Sequence, residues 1–374
     1  MLIDNNTAIS SSHINSSVNF LKIINNTSPN VAFAFSPISL TLTFAMVFNG
    51  AKNETKEEIK NLLFKSVDDE AVNSYFKQFL DTLNEKSASN ILVADKIYLR
   101  NGVEVLELFK KTMVNFYNGQ FEEVDFQDTA KASSIINSFV EDATKSLIKN
   151  LLKPHDIKPN TQMILINALY FKGKWMNVFD AKVTQKRDFF TSAGAIKQVD
   201  MMYNHVNYEY TEDSDYQLIK LPYQNSEISM VILLPVIKNN FELLLQNFDD
   251  SHFKSLLSNT RSKKVKLYLP KFKIESLFNL NSMLKQLGIV KAFGSDADFS
   301  GLVTNGNLFI DKVVQKIFVE VNEEGTEAAA ASAILMSKRK RPMPIREIIF
   351  RADHPFMFYI IQDSKYVLFN GIYK

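Results

Sequence analysis

Residues 321–344 read VNEEGTEAAAASAILMSKRKRPMP. An apolar strand tail gives way to two acids, Glu323 and Glu324, and then to Gly325, Thr326 and Glu327. Ala328, Ala329, Ala330 and Ala331 follow, then small and apolar residues, a basic cluster of Lys338, Arg339, Lys340 and Arg341, and prolines at 342 and 344. On composition alone this is a surface helix, since Ala is the best helix former, running into a solvated basic turn. A short Lys/Arg run also suits nuclear localisation or a nucleic-acid patch, although no aromatic platform accompanies it. Read as a strand, the segment has a two-residue period that puts Thr326, Ala328, Ala330, Ser332, Ile334 and Met336 on one face. None of them carries a charge, so that face tolerates burial, while Glu327 falls on the other face and stays in water. Consecutive alanines are poor strand formers. A local preference that contradicts the final state is expected at a switch.

Outward from this segment the chain changes texture. Ile14, Val18, Leu21 and Ile24 recur at helical spacing, as do Val72, Phe76, Phe79 and Leu83, and again Ile135, Phe139, Ala143 and Leu147. Residues 163–171 are almost continuously apolar, the pattern of a strand buried on both faces. Residues 228–234 read the same way and stop at Pro235. Val265, Leu267 and Leu269 alternate with Lys266 and Tyr268, as in a half-exposed strand. A helix is predicted over 279–287, stopped by Gly288, and late strands over 317–321 and 366–372. Helices dominate the first third and strands the rest, without regular alternation. That argues for an α+β architecture with mainly antiparallel sheets. Neither a linker nor an internal repeat divides the chain, so it reads as a single domain.

Composition removes several function classes. The 374 residues are 46% hydrophobic and include 30 Phe, enough for a large core. A net charge of +2 demands neither nucleic acid nor a membrane surface. With no cysteine, thiol nucleophiles, disulfides and thiolate metal sites are excluded. The five histidines are scattered without metal-ligand spacing. Neither a phosphate-binding glycine loop nor a strand–turn Ser elbow is present. These observations point away from an enzyme and imply no cofactor or metal. Sequons at Asn5, Asn15, Asn25, Asn26 and Asn53 are unremarkable in so Asn-rich a chain.

A family resemblance runs through nearly the whole chain. Phe35-Ser36-Pro37-Ile38-Ser39 resembles the FSPxS that opens the second helix of serpins. Residues 167–175, NALYFKGKW, resemble NxxYFKGxW, with Phe179 at the expected step. Val199-Asp200-Met201-Met202, then Leu221-Pro222-Tyr223 with 229–235, then Leu269-Pro270-Lys271-Phe272 and Ala297-Asp298-Phe299-Ser300 are similar to further family strings. Residues 323–331, EEGTEAAAA, resemble the inhibitory hinge, and 352–356, ADHPF, opens the last strands. Each string is short; their common order makes them specific.

The resemblance implies a serpin fold with three mainly antiparallel β-sheets, about nine helices, and an exposed reactive loop over roughly 325–344 that can insert as a strand and release strain. It implies a metastable suicide inhibitor whose partner is a target protease and which acts as a monomer without nucleic acid or membrane. The hinge comprises Glu323, Glu324, Gly325, Thr326, Glu327 and Ala328 to Ala331. Ser36, Ser39 and Asn167 match the polar cluster where the main sheet parts, although helix capping and core hydrogen bonding would account for them equally. Gln315 stands where the family usually has His, and Gln both donates and accepts. Trp175 matches the upper end of the insertion slot and would also serve as a core aromatic.

The family's usual spacing from the hinge acid Glu323 implies Arg339 as the scissile residue, with Lys340 after the cut. A fixed guanidinium suits a specificity pocket ending in a carboxylate, so trypsin-like serine proteases are favoured. Lys338 and Lys340 are alternatives; a cut after Arg341 is disfavoured by Pro342. A papain-like cysteine protease would read the apolar pair Leu335 and Met336, with the cut after Met336. A non-inhibitory carrier or chaperone is the third reading, though such members tend to have charged or bulky hinges. Residues 1–12 lack a secretory pattern. The location is extracellular if a leader was removed, slightly favoured on family grounds, and cytoplasmic if the chain is full length.

Overall fold

The structure, a computed structural model, describes residues 5–65, 67–85, 90–224, 227–304, 308–324 and 347–374. The first half contains α1 (Asn5–Thr27), β1 (Phe33–Phe35), α2 (Pro37–Gly50), α3 (Asn53–Leu63), α4 (Asp69–Glu85), β2 (Asn90–Arg100), α5 (Glu107–Tyr117), β3 (Phe121–Val124), α6 (Thr129–Ala143) and β4 (Met163–Lys172). The second half contains β5 (Gln185–Phe190), β6 (Ile196–Glu212), β7 (Tyr216–Pro222), β8 (Ile228–Pro235), α7 (Phe241–Asn247), α8 (Asp250–Ser258), β9 (Arg261–Pro270), β10 (Phe272–Asn279), α9 (Asn281–Gln286), β11 (Lys312–Val321), β12 (Ile348–Arg351), β13 (Phe356–Gln362) and β14 (Tyr366–Tyr373). The helix-first, strand-later order of the sequence is met.

A five-stranded sheet runs β10-β11-β4-β2-β3. Strand β4 explains its own apolar run. Met163, Leu165, Leu169 and Phe171 enter the main core, while Ile164, Ile166, Ala168 and Tyr170 enter a smaller one beneath α6, beside Ile136 and Val140. The pairings β10–β11 and β2–β4 are antiparallel and the short edge pairing β2–β3 is parallel, while β11 and β4 pair in parallel from Lys312↔Ile164 to Val319↔Phe171. A parallel ladder has slanted bonds and is slightly weaker per residue. The β11–β4 pairing is thus a parallel ladder set inside the sheet, with an antiparallel ladder on either side.

The second sheet is nine-stranded, ordered β1-β14-β13-β8-β7-β6-β9-β12, with β5 also on β6. Two strand groups meet in it. The 17-residue β6 pairs β5 and β9 along most of its length and β7 at its end. Hydrogen bonding thus joins the second and third expected sheets through one long strand. Every residue of β8 and β14 is buried.

Two predicted helices are shorter in the structure. Helix α6 ends at Ala143, short of Leu147, because Lys145 and Ser146 take positive φ of 52° and 59°. Helix α9 starts at Asn281 because Asn279 still pairs with Val314 in the β10–β11 ladder. Among the described residues no helix is long and apolar enough to cross a membrane.

Candidate functional site

The site is the seam between β11 and β4, fixed at its upper end and tied by polar groups at its centre. At the upper end, β11 stops at Val321 and the chain is caught immediately. The Trp175 indole Nε1 donates to the Asn322 carbonyl at 2.8 Å. The backbone N–H groups of Trp175 and Phe179 donate to the carbonyls of Glu324 and Glu323 at 3.2 and 2.9 Å. Trp175 is buried, stacked on Tyr223 with ring centroids 4.3 Å apart and an interplanar angle of 14°. Gly173 makes that packing feasible, since a Cβ there would lie 2.6 Å from Tyr223 Cδ1.

The Glu323 carboxylate is itself held. Lys271 Nζ lies 2.8 Å from its Oε2, and the Thr184 hydroxyl donates to Oε1 at 2.9 Å. Burial alone would raise this carboxyl. The Lys271 ammonium, with the Thr184 hydroxyl, overcomes burial and holds it below the usual carboxylate range. The start of the hinge is thus a fixed fulcrum.

At the centre, Gln315 of β11 is in register with Asn167 of β4, and Asn167 with Asp95 of β2. The Gln315 amide clasps Ser36 in both directions: Nε2 donates to the Ser36 carbonyl and the Ser36 N–H donates to Oε1, each at 2.9 Å. Ser36 also caps α2, accepting from Ser39 N–H at 3.4 Å, and donates to Leu368 of β14 at 2.7 Å. Pro37 follows at the first helical position, where its missing N–H costs nothing. Capping and sheet-tying are therefore the same hydrogen-bonded cluster. Asn167 Nδ2 donates to the Thr43 hydroxyl at 2.6 Å, and the Ser39 hydroxyl donates to Asp95 Oδ1 at 2.6 Å.

Ser36, Ser39, Asn167 and Gln315 are thus brought together, with Trp175, Glu323 and Glu324 gathered at the upper end. Gly325, Thr326, Glu327, Ala328, Ala329, Ala330, Ala331, Met336, Lys338, Arg339, Lys340 and Arg341 lie outside the described residues. Sequence reading missed Asp95, Thr43, Thr184 and the role of Lys271. Lys271 stood in a quoted motif; Asp95 carried one faint signal, an acid beside Lys96 in the mainly apolar ILVADKIYL.

Asp95 is the chemical oddity of the cluster. It is 4% exposed, and its Oδ2 and the Asn167 Oδ1 across the ladder have no hydrogen-bond partner among the described residues. Burial pushes its carboxyl well above the usual range, with the Ser39 hydroxyl offsetting only part. A proton on Oδ2 turns one of these two bare acceptors into a donor. The folded-state pKa is raised, so this group's contribution is fully present below the unfolded pKa near 3.9 and lost as pH rises toward the folded value. Asp95→Asn removes that loss. The variant is expected to exceed the parent in urea-unfolding stability at pH 8, by about 1–3 kcal/mol, with a smaller gap at pH 4. A gap independent of pH would show that the carboxyl is ionised throughout.

The match to known proteins now decides the family. A family model described as Serpin (serine protease inhibitor) matches residues 12–373. The chain belongs to the serpin family. Among relatives of this serpin, Iripin-3 of Ixodes ricinus is 36% identical over 340 residues, 89% of this chain and 86% of that protein. Antitrypsin of Bombyx mori is 32% identical over 360 residues, 95% of this chain and 90% of that one. The crystal structure of Serpin48, a highly specific serpin in the insect Tenebrio molitor, superposes with a TM-score of 0.85 at 35% identity, covering 97% of both chains. The serpin fold expected from sequence is thereby established, and inhibition of proteases is the general activity that the family supports.

Proposed function

We propose that this serpin, acting as a single domain over residues 1–374 and as a monomer, is a suicide inhibitor of trypsin-like serine proteases with Arg339 as its bait. The protease's nucleophilic oxygen bonds to the Arg339 carbonyl carbon. The C–N bond to Lys340 breaks, and the leaving amine takes a proton from the protease's own acid. The freed hinge then enters the β11–β4 seam, and the acyl-enzyme is distorted before water completes hydrolysis.

The carrying observation is the seam: a closed parallel pair, soft in its ladder, with the chain anchored at Glu323 and Glu324 where an uncharged, small-residue hinge sequence begins. The naming of a relative as an antitrypsin agrees with a basic bait. Mixing the full chain with trypsin should give, on a denaturing gel, a band at the combined mass of serpin and enzyme. Loop cleavage without that band would favour the carrier reading.

Arg339→Ala is expected to slow trypsin inhibition roughly tenfold to a hundredfold, because an Arg–carboxylate contact in a desolvated pocket is worth several kcal/mol and Lys338 and Lys340 offer neighbouring bonds. Mass spectrometry of the released fragment gives the register. A fragment beginning at Lys340 supports Arg339. One beginning at Ser337 moves the bait to Met336 and puts a papain-like cysteine protease first.

A further inference from the structure

The alternation of β9 turns a cationic face of the second sheet outward. Val265, Leu267 and Leu269 enter the core, so Lys264, Lys266 and Tyr268 point the other way. Strand register builds rows across that face. Tyr268 lies opposite Tyr203 of β6 and Arg351 of β12, and Lys266 opposite His205 and Ile349. Arg187 of β5 reaches into the first row. The guanidinium carbons of Arg187 and Arg351 lie 5.3 and 4.9 Å from the centre of the Tyr268 ring, and the Tyr203 ring lies 4.9 Å from it. Both tyrosines are half-buried and both arginines exposed. A guanidinium lodged against a ring gives up rotamer freedom but keeps its N–H donors for a ligand.

These cations lack acids of their own. Among the described residues Arg187 has one hydrogen bond, to the Gln185 amide oxygen at 3.4 Å, and Arg351 and Lys264 have no ion-pair partner. Acids on or beside the same strands are spent elsewhere: Asp200 on Lys186, Glu209 on Lys220 and Asp353 on Lys238. One carboxylate does come to this face. Glu347, just ahead of β12, lies 2.6 Å from Lys266 Nζ, and that ammonium holds it below the usual carboxylate range. Partial burial, then Lys264 and Lys266, lower the His205 imidazole, as a positive field over the second row requires. We infer that this face binds an acidic polypeptide segment of a partner protein, lying extended across β5, β6, β9 and β12 with carboxylates on Arg187 and Arg351. Acids two residues apart on an extended chain leave the same face roughly 7 Å apart, which suits two guanidinium groups gathered at one ring. The planar Arg fork takes a carboxylate through two parallel bonds. Nucleic acid fits less well, because guanidinium groups already occupy the Tyr268 ring on which a base would stack.

The face lies outside both the loop and the β11–β4 seam, so the inference stands or falls apart from the inhibitory reading. The test is fluorescence anisotropy on the full chain at low and physiological salt, with a labelled octapeptide of alternating Glu and Ser and its Gln-Ser counterpart. The acidic peptide is expected to bind at least about tenfold tighter than the neutral one, and to weaken as salt is raised. Arg187→Ala and Arg351→Ala should each weaken it roughly threefold to tenfold, and together erase the preference. Glu347→Gln frees Lys266 and should tighten binding about twofold to threefold, the opposite sign from the arginine variants. Lys186→Ala removes the same charge from the same strand, at a residue already paired with Asp200, and should change little. Equal affinity for the two peptides, a preference that survives the double arginine variant, looser binding in Glu347→Gln, or as large a loss in Lys186→Ala would each overturn the inference. So would oligothymidylate or a heparin hexasaccharide binding this face more tightly than the acidic peptide.

Discussion

Cutting the loop between Ser332 and Lys340 is expected to raise the thermal midpoint of the protein by roughly tens of degrees, at about 2 °C or less per kcal/mol for a chain of this size. The reason lies in the seam. In the uncut protein β11 and β4 face each other in parallel from Lys312↔Ile164 to Val319↔Phe171. A strand that leaves the end of β11 and folds back between them runs antiparallel to both neighbours. One slanted parallel ladder is replaced by two antiparallel ones, and an uncharged face of Thr326, Ala328, Ala330, Ser332 and Ile334 becomes available to the core. Before cleavage the loop is tied at both ends, at Glu324 and again at β12, so the backbone cannot reach down the seam. Cleavage frees one end. Differential scanning calorimetry of intact and proteolysed protein reads the effect directly. Equal midpoints would mean that the seam does not admit the strand, and the chain would then be a carrier rather than an inhibitor.

The same seam shows what sequence made legible. The apolar run of β4 announced a doubly buried strand because both of its faces are apolar, and both meet cores. The helix start at Ser36-Pro37 was read through the family resemblance, and the structure adds a local reason for it, with Ser36 capping α2 and Pro37 at its first position. Gln315 and Asn167 were legible only through resemblance, since nothing in their neighbours says that they meet Ser36 and Thr43 from distant parts of the chain. Asp95 was not legible. In sequence it looks like a polar residue on the open face of a strand. Its burial is a property of the helix α2 and of β4, more than seventy residues downstream, not of its own segment. Lys271 failed for a similar reason. An exposed lysine beside a proline reads as solvent-facing until its partner Glu323 is brought to it by the return of β11 along β10.

Thr326→Arg should convert the inhibitor into a substrate. Thr326 follows Glu323 and Glu324, whose carbonyls are fixed by the N–H groups of Phe179 and Trp175, so it is among the first residues that must turn into the seam. Phe171, Trp175 and Tyr223 lie at this end of the seam, all buried, with the Tyr223 ring in contact with both of the others. A guanidinium entering there loses its water. The nearest acid, Glu323, is already engaged by Lys271 and Thr184. Burying an unpaired charge costs several kcal/mol, and each 1.4 kcal/mol added to the insertion barrier slows that step about tenfold. Hydrolysis of the acyl-enzyme is left unchanged and wins the race. The variant should therefore be cut near Arg339 at the parent's rate, while the serpin consumed per trypsin inactivated rises by more than about tenfold and the gel-stable complex fades. Threonine to serine at the same position, small and uncharged, should keep the full yield. Gel-stable complexes at full yield from the Arg variant would mean that Thr326 faces solvent in the inserted strand, and that the inward set begins one residue later, at Glu327.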